Sequence, residues 1–315
     1  MLPASVSPPP PDSPIALTRR GSRRNDSGSV SSPPPASPVA RERFTGERAL
    51  FGARDVDLAD TLFADGESPL KHAHGVTARR TVFEWKYPLW YTSDVRLEDC
   101  GFLETARSGP WYVDGITVAR TLIAAPKTFR RCRRVRLDHV DLTHAAETLW
   151  SCEDVRLDHV CARGDYFGMN STGVVATDLR IDGNYAFDGG RDIAITGATL
   201  LSKDAFWNCE NVVVRDSLIV GEYLGWNSRN LRFENCTIES LQGLCYIDGL
   251  VLRGCRLVDT TLAFEYSTVD VEVEGRIDSV INPAGGVIRC GEIGELILDP
   301  ERVDPAATTI ITTDA

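Results

Sequence analysis

A charged or amide side chain beside one or two aromatics recurs down this chain. It appears in GESPLK (66–71), KYPLWY (86–91), ARSGPWY (106–112), APKTFRR (125–131), ETLW (147–150) and GDYF (164–167), and then in GNYAF (183–187), SKDAFWN (202–208), GEYLGWNS (221–228), LQGLCY (241–246) and FEYS (264–267). Read as one stripe, the polar members are Glu67, Lys86, Arg107, Lys127 with Arg130, Glu147, Asp165, Asn184, Lys203 with Asp204, Glu222, Gln242 and Glu265. Aromatics interleaved with carboxylates, amides and cations suit an oligosaccharide, because rings cover sugar faces and polar groups direct hydrogen bonds to hydroxyls. Tyr185 and Trp226 join the binding set on that ground. The tryptophans at this phase (Trp90, Trp150, Trp207, Trp226) and Phe264 are expected to point mostly inward as core.

Five of these residues have the chemistry for catalysis: Glu147, Asp165, Lys203, Asp204 and Glu222. Carboxylates on neighbouring repeats, Glu147 with Asp165 and Asp204 with Glu222, approach the roughly 5 Å separation of a retaining glycosidase. Elimination from an acidic sugar is the other chemistry, with Lys127, Arg130 or Lys203 taking a proton or steadying an enolate. Neither has a motif to itself, so lyase, hydrolase and no catalysis at all stay open. Two copies of VRLDHV (135–140 and 155–160) stack His139 on His159 with Asp138 and Asp158 beside them, which reads as a solvated edge ahead of a metal site. No metal or other cofactor is expected.

Such residues need a scaffold that repeats as they do. Val56, Val76, Val95, Ile116, Val135, Val155, Val174, Ile193, Val212, Leu231, Leu250 and Val269 open twelve units spaced 19 to 21 residues apart. Small or apolar residues recur at i, i+2, i+5 and i+7, as in Val135, Leu137, Val140 and Leu142. The first step is strand alternation; the step of three changes parity and demands a bend. A fixed period near 20 with no room for a helix predicts an all-β solenoid, a single-stranded parallel β-helix of about twelve coils. Left-handed β-helices run on multiples of six residues, absent here, which favours the right-handed form. Equal phases then stack, and the polar-aromatic segments share one face.

Residues 1–43 are Pro/Ser-rich with a basic cluster at Arg19, Arg20, Arg23 and Arg24, and are expected to be a disordered tail. The β-helix is assigned to 44–300 and a C-terminal tail to 301–315. No apolar stretch follows the arginine pair, so it is not read as a secretory signal. The front segment holds six Arg and three acidic residues, net +3; the rest holds 28 basic and 42 acidic residues, net −14. An acidic rod is a poor partner for nucleic acid, and no apolar run is long enough to span a membrane. Nine cysteines without a CxxC pair argue against disulfides and zinc and for a reducing, cytoplasmic setting. Cys100, Cys236 and Cys255 take the i+5 core slot.

The motif series from GESPLK through FEYS, over about residues 44–295, resembles a bacterial family known as a domain of unknown function, with a single-stranded right-handed β-helix of the pectin-lyase-like kind. The resemblance implies the fold and no particular reaction. Thr261, where an acidic residue is expected, and the long Pro/Ser front end are its departures. The sequence therefore predicts a β-helix whose charged, aromatic face binds a carbohydrate or similar polyhydroxylated ligand. The alternative is a scaffold using that face for a protein partner or for homo-oligomer formation.

Overall fold

The structure, a computed structural model, describes residues 39–313. Apart from its last five residues, the segment expected to be a disordered tail lies outside the described residues. The described residues form one compact unit. It is all-β: among the described residues the helical segments are two three-residue 3-10 turns, Glu104–Ala106 and Pro305–Ala307. None is long and apolar enough to cross a membrane.

Parallel pairing between successive coils confirms the phase read from the sequence. Val135, Leu137, Val140 and Leu142 lie beside Val155, Leu157, Val160 and Ala162. The next coil continues with Val174, Ala176, Leu179 and Ile181. The core is thus a set of columns, each made of residues one period apart. Phe44, Phe63, Phe83 and Phe102 form one such column, with ring centroids 4.9, 5.2 and 4.6 Å apart. Cys100, Cys236 and Cys255 are buried, and no cysteine is in a disulfide. A small weakly polar side chain fills the i+5 slot as Val140 and Val160 do elsewhere.

The expected bend sits between the second and third core positions of each unit. Asp60, Arg80, Asp99, Arg120, His139, His159 and Asp178 occupy this corner with φ between 47° and 53°. A left-handed residue reverses the alternation, which is why the apolar spacing there is three. Asp, Asn and Gly tolerate this conformation best; where Arg or His takes it, pairing along the column offsets the strain. Arg80 bonds Asp60 at 2.6 Å and Arg120 bonds Asp99 at 2.8 Å.

The stack has about 14 turns, against the twelve or so that the repeat predicts. One added turn precedes Val56: Val39–Ala40 pairs with Leu58–Ala59, and Arg43–Phe44 with Leu62–Phe63. Further pairing follows Val273. Gly285–Cys290 lies beside Thr268–Val273, and Thr308–Thr312 lies beside Gly285–Cys290. Pairing therefore begins before residue 44 and continues into the segment expected as a C-terminal tail. The first added turn keeps the 19-residue spacing, Val39 to Leu58, in strands of only two residues. Those after Val273 depart from it, with 17 residues from Thr268 to Gly285 and 22 from Gly286 to Thr308, so their sequence does not announce them. At about 4.8 Å per coil the stack is roughly 67 Å tall.

Candidate functional site

The polar-aromatic segments do lie above one another, but not as a single stripe. In a parallel ladder an amide lies beside the residue following the carbonyl it bonds. The Tyr185 amide donates to Lys203 O, Asp204 to Glu222 O, and Glu147 to Asp165 O. Glu67, Lys86, Arg107, Asp165, Asn184, Lys203 and Glu222 thus share one column. Lys127, Glu147 and Gln242 belong one residue further on, with Tyr166, Tyr185, Asp204 and Tyr223. Arg130 belongs to a third column, bridging Trp111 and Trp150. Trp207, Trp226 and finally Glu265 also lie there. Units of 19, 20 and 21 residues blur this one-residue difference, so Glu147 faces Tyr166 where Asp165 was expected.

Glycine makes the corner possible. A Cβ on Gly183 would stand 2.2 Å from Gly164 O, and one on Gly164 2.5 Å from the Ala146 amide. The chain closes against the coil beneath at these points, and no side chain fits. The next residue then emerges at the surface: Glu67, Asp165, Asn184 and Glu222 each follow such a glycine.

In the N-terminal half most of the charges pair with one another, although Arg130 Nε is buried without a hydrogen-bond partner. Lys86 Nζ lies 3.0 Å from Glu67, and Lys127 Nζ lies 3.2 Å from Glu147. Arg130 also bonds Glu147, with its guanidinium 5.1 Å from the Trp111 ring and 4.7 Å from the Trp150 ring. Trp90 stacks on Trp111 at 5.0 Å. Arg107 is exposed. Asp165 and Asn184 act as staples: Asp165 Oδ1 accepts the Asn184 amide at 2.8 Å, and Asn184 Oδ1 accepts the Lys203 amide at 3.2 Å. Glu265 accepts from the Tyr246 hydroxyl at 3.5 Å, near the C-terminal end.

The C-terminal half differs. Tyr185, Lys203, Asp204, Trp207, Tyr223, Trp226 and Gln242 line a shallow depression of about 370 Å³. Lys203 Nζ bonds Glu222 at 3.2 Å and sits 5.1 Å over the Tyr223 ring. Asp204 is 2 % exposed, and its Oδ1 has no hydrogen-bond partner. Burial pushes its carboxyl above the usual range, against the lowering pull of Lys203 and the Tyr185 hydroxyl; the like charges of Glu222 and Asp188 push it further. Asp204 in turn raises the Tyr185 hydroxyl, and the bond to Glu222 raises Lys203. A carboxylate oxygen that is buried and unsatisfied carries a cost that a bound donor would remove.

The expectation that the aromatics are mostly core holds for Phe264, which is fully buried, but not for the tryptophans. Trp90, Trp150, Trp207 and Trp226 are half-buried at the surface. An indole N–H needs an acceptor that a core of apolar columns lacks. Trp207 Nε1 donates to Tyr223 O at 2.8 Å and Trp226 Nε1 to Gln242 O at 2.7 Å. Trp207 and Trp226 stack at 5.9 Å. Rings stacked along the coil axis cover one another's faces and turn their edges outward, so they wall the depression rather than offer platforms. Trp207 and Tyr223 were absent from the expected binding set; sharing the phase of Trp226 and Tyr185 is the signal that could have found them.

His139 and His159 do stack, at 4.5 Å, and their Nδ1 atoms lie 2.6 and 2.8 Å from Asp138 and Asp158. Asp178, not foreseen, comes within 3.3 Å of His159 Nε2. Asp158, His159 and Asp178 could converge on a cation, but all three are exposed. The two carboxylates lie against opposite nitrogens of the one ring.

Stacked parallel coils carrying a polar-aromatic face define a β-helix protein. The chain belongs to the family described as Protein of unknown function (DUF3737), whose model matches residues 37–311. No curated protein matches it. Similar solved structures include the A-module of mannuronan C-5 epimerase AlgE4 from Azotobacter vinelandii, at 10% identity over 86% of this chain and 87% of that chain, TM-score 0.27. DFA-IIIase from Arthrobacter chlorophenolicus A6 in complex with GF2 matches at 15% identity, over 82% and 72%, TM-score 0.34. PfbA, a surface adhesin of Streptococcus pneumoniae, matches at 9% identity, over 79% and 70%, TM-score 0.30. At such identities and TM-scores the likeness carries no activity to this chain.

Proposed function

We propose that the protein binds a carbohydrate or similar polyhydroxylated ligand in the depression around Asp204. One observation carries this reading: a buried carboxylate whose Oδ1 lacks a partner lines an open hollow among Tyr185, Trp207 and Trp226. A ligand hydroxyl supplies the missing donor, and the ring edges enclose the apolar flank of a sugar. Elimination from an acidic sugar loses its support, because Lys127, Arg130 and Lys203 are each bonded to a glutamate. The N-terminal half suits the scaffold reading better, since its ion pairs are closed among themselves. Nine unpaired thiols support a reducing, cytoplasmic setting.

A panel of neutral, amino and acidic oligosaccharides screened by thermal shift and confirmed by calorimetry tests this reading. At least one glycan should bind wild type and lose affinity tenfold or more in Asp204→Asn and Trp226→Ala. Absence of any binder, or binding indifferent to both substitutions, overturns it.

A further inference from the structure

The charges facing the depression say more about the ligand than its shape does. Asp204 lines the depression with its Oδ1 buried and unpartnered, and from outside that lining Glu222 and Asp188 act on its carboxyl as like charges. Against these three carboxylates stands one ammonium, Lys203, already bonded to Glu222 at 3.2 Å and resting over Tyr223. Asp188 is partly satisfied by Asn208 Nδ2 at 2.9 Å. With all four groups ionised the depression and its surroundings are two negative charges in excess, on a rod that is itself acidic. A neutral hydroxyl satisfies the Asp204 oxygen but leaves that excess; a uronate or phosphate adds to it with no free cation to receive it. A ligand ammonium satisfies the oxygen by a charge-assisted bond, roughly twice as strong as a neutral one, and lowers the excess.

We propose that the ligand bound at Asp204 carries a primary amino group, which makes it an amino sugar with a free, unacylated amine. This inference rests on the glycan-binding reading and narrows it. The amine pairs with the Asp204 carboxylate while the hydroxyls meet the Tyr185 hydroxyl. N-acetylation removes the charge and adds bulk at the carboxylate, so the free amine and its acetylated form are the discriminating pair.

The probes are the disaccharide of two β-1,4-linked glucosamines, its di-N-acetylated form and cellobiose, titrated calorimetrically into the full-length protein at pH 7 and low salt. The free amine should bind at least tenfold more tightly than either neutral disaccharide. In Asp204→Asn, checked for folding by circular dichroism, that preference should fall to less than threefold. Lys203→Met, which removes the competing ammonium, should tighten amine binding. Equal affinity for the three disaccharides in wild type overturns the amine inference while the glycan reading stands. A preference that survives in Asp204→Asn places the attraction on the acidic surface at large and also overturns it. If none of the probes binds and the wider glycan panel is silent too, both readings fall; if the panel yields only neutral or acidic binders, this one alone falls.

Discussion

Asp204 and Glu147 are both carboxylates beside aromatics on the same column, and their surroundings give them opposite roles. Glu147 holds Lys127 and Arg130, with side-chain exposures of 31% for the carboxylate and 22% for Arg130. Glu147→Gln should therefore cost about 2 kcal/mol, between an exposed pair and a fully buried one. Lys203 and Glu222 are 46% and 47% exposed, so Lys203→Met should cost less than about 1 kcal/mol. Chemical denaturation of the two variants checks the ordering. Asp204 should behave in the reverse sense. Its folded-state pKa is raised, so the folded protein holds the proton more tightly than the unfolded chain does. Stability is then lost as pH rises from the unfolded value through the folded one, and no penalty exists below both. Asp204→Asn should stabilise the fold at pH 7 by on the order of 1 kcal/mol, read as a higher melting temperature, and the gain should vanish as pH falls through the carboxylate range. A loss of stability at pH 7 would mean that the carboxylate is satisfied. Thiols obey the same physics: burial pushes Cys209 and Cys245 up to about 12, and Cys161 alone of the nine is not buried. Ellman's reagent at pH 8 should titrate about one thiol per native chain and all nine in denaturant.

At the scale of the coil, what decides the site is how closely one turn lies on the next. Gly221 precedes Glu222 in the turn that closes on Ser202, and a Cβ there would stand 2.0 Å from Ser202 O. Backbone cannot yield as the end of a side chain can, so Gly221→Ala should cost about 2–4 kcal/mol and also displace Glu222 from Lys203. Melting curves check the first effect, and loss of glycan binding checks the second. The apolar half of the coil was legible in the sequence because each column accepts only small or apolar residues at a fixed phase, as Val135, Val155 and Val174 show. The polar half was legible only to within a residue. Charged groups satisfy one another from several neighbouring phases, so no periodic constraint separates Glu147 from Asp165, and only the backbone register does. Burial of Asp204 was not legible either, since it depends on Tyr185, Trp207 and Tyr223 closing around it from three different coils.

A solenoid's stability is close to a sum over neighbouring coils, and its ends are where that sum can be tested. The first coil keeps the 19-residue spacing and is bonded in register: Val39 lies beside Leu58, and Phe44 beside Phe63. The Phe44 ring covers the Phe63 ring at 4.9 Å, beginning the column that runs on through Phe83 and Phe102. Removing it uncovers one face of a side chain that is now 2 % exposed. Loss of one such contact costs about 2 kcal/mol, and with 2–4 °C of melting temperature per kcal/mol a chain beginning at Ala49 should melt about 4–8 °C below one beginning at Ser37. Both lack residues 1–36, so the comparison isolates the coil itself. The depression at Asp204 is many coils away and shares no column contact with Phe44, so the shorter chain should bind glycans with unchanged affinity. Equal melting temperatures would show that the first coil adds nothing to the stack. Lost binding would show that coils far apart are coupled more strongly than nearest-neighbour stacking allows.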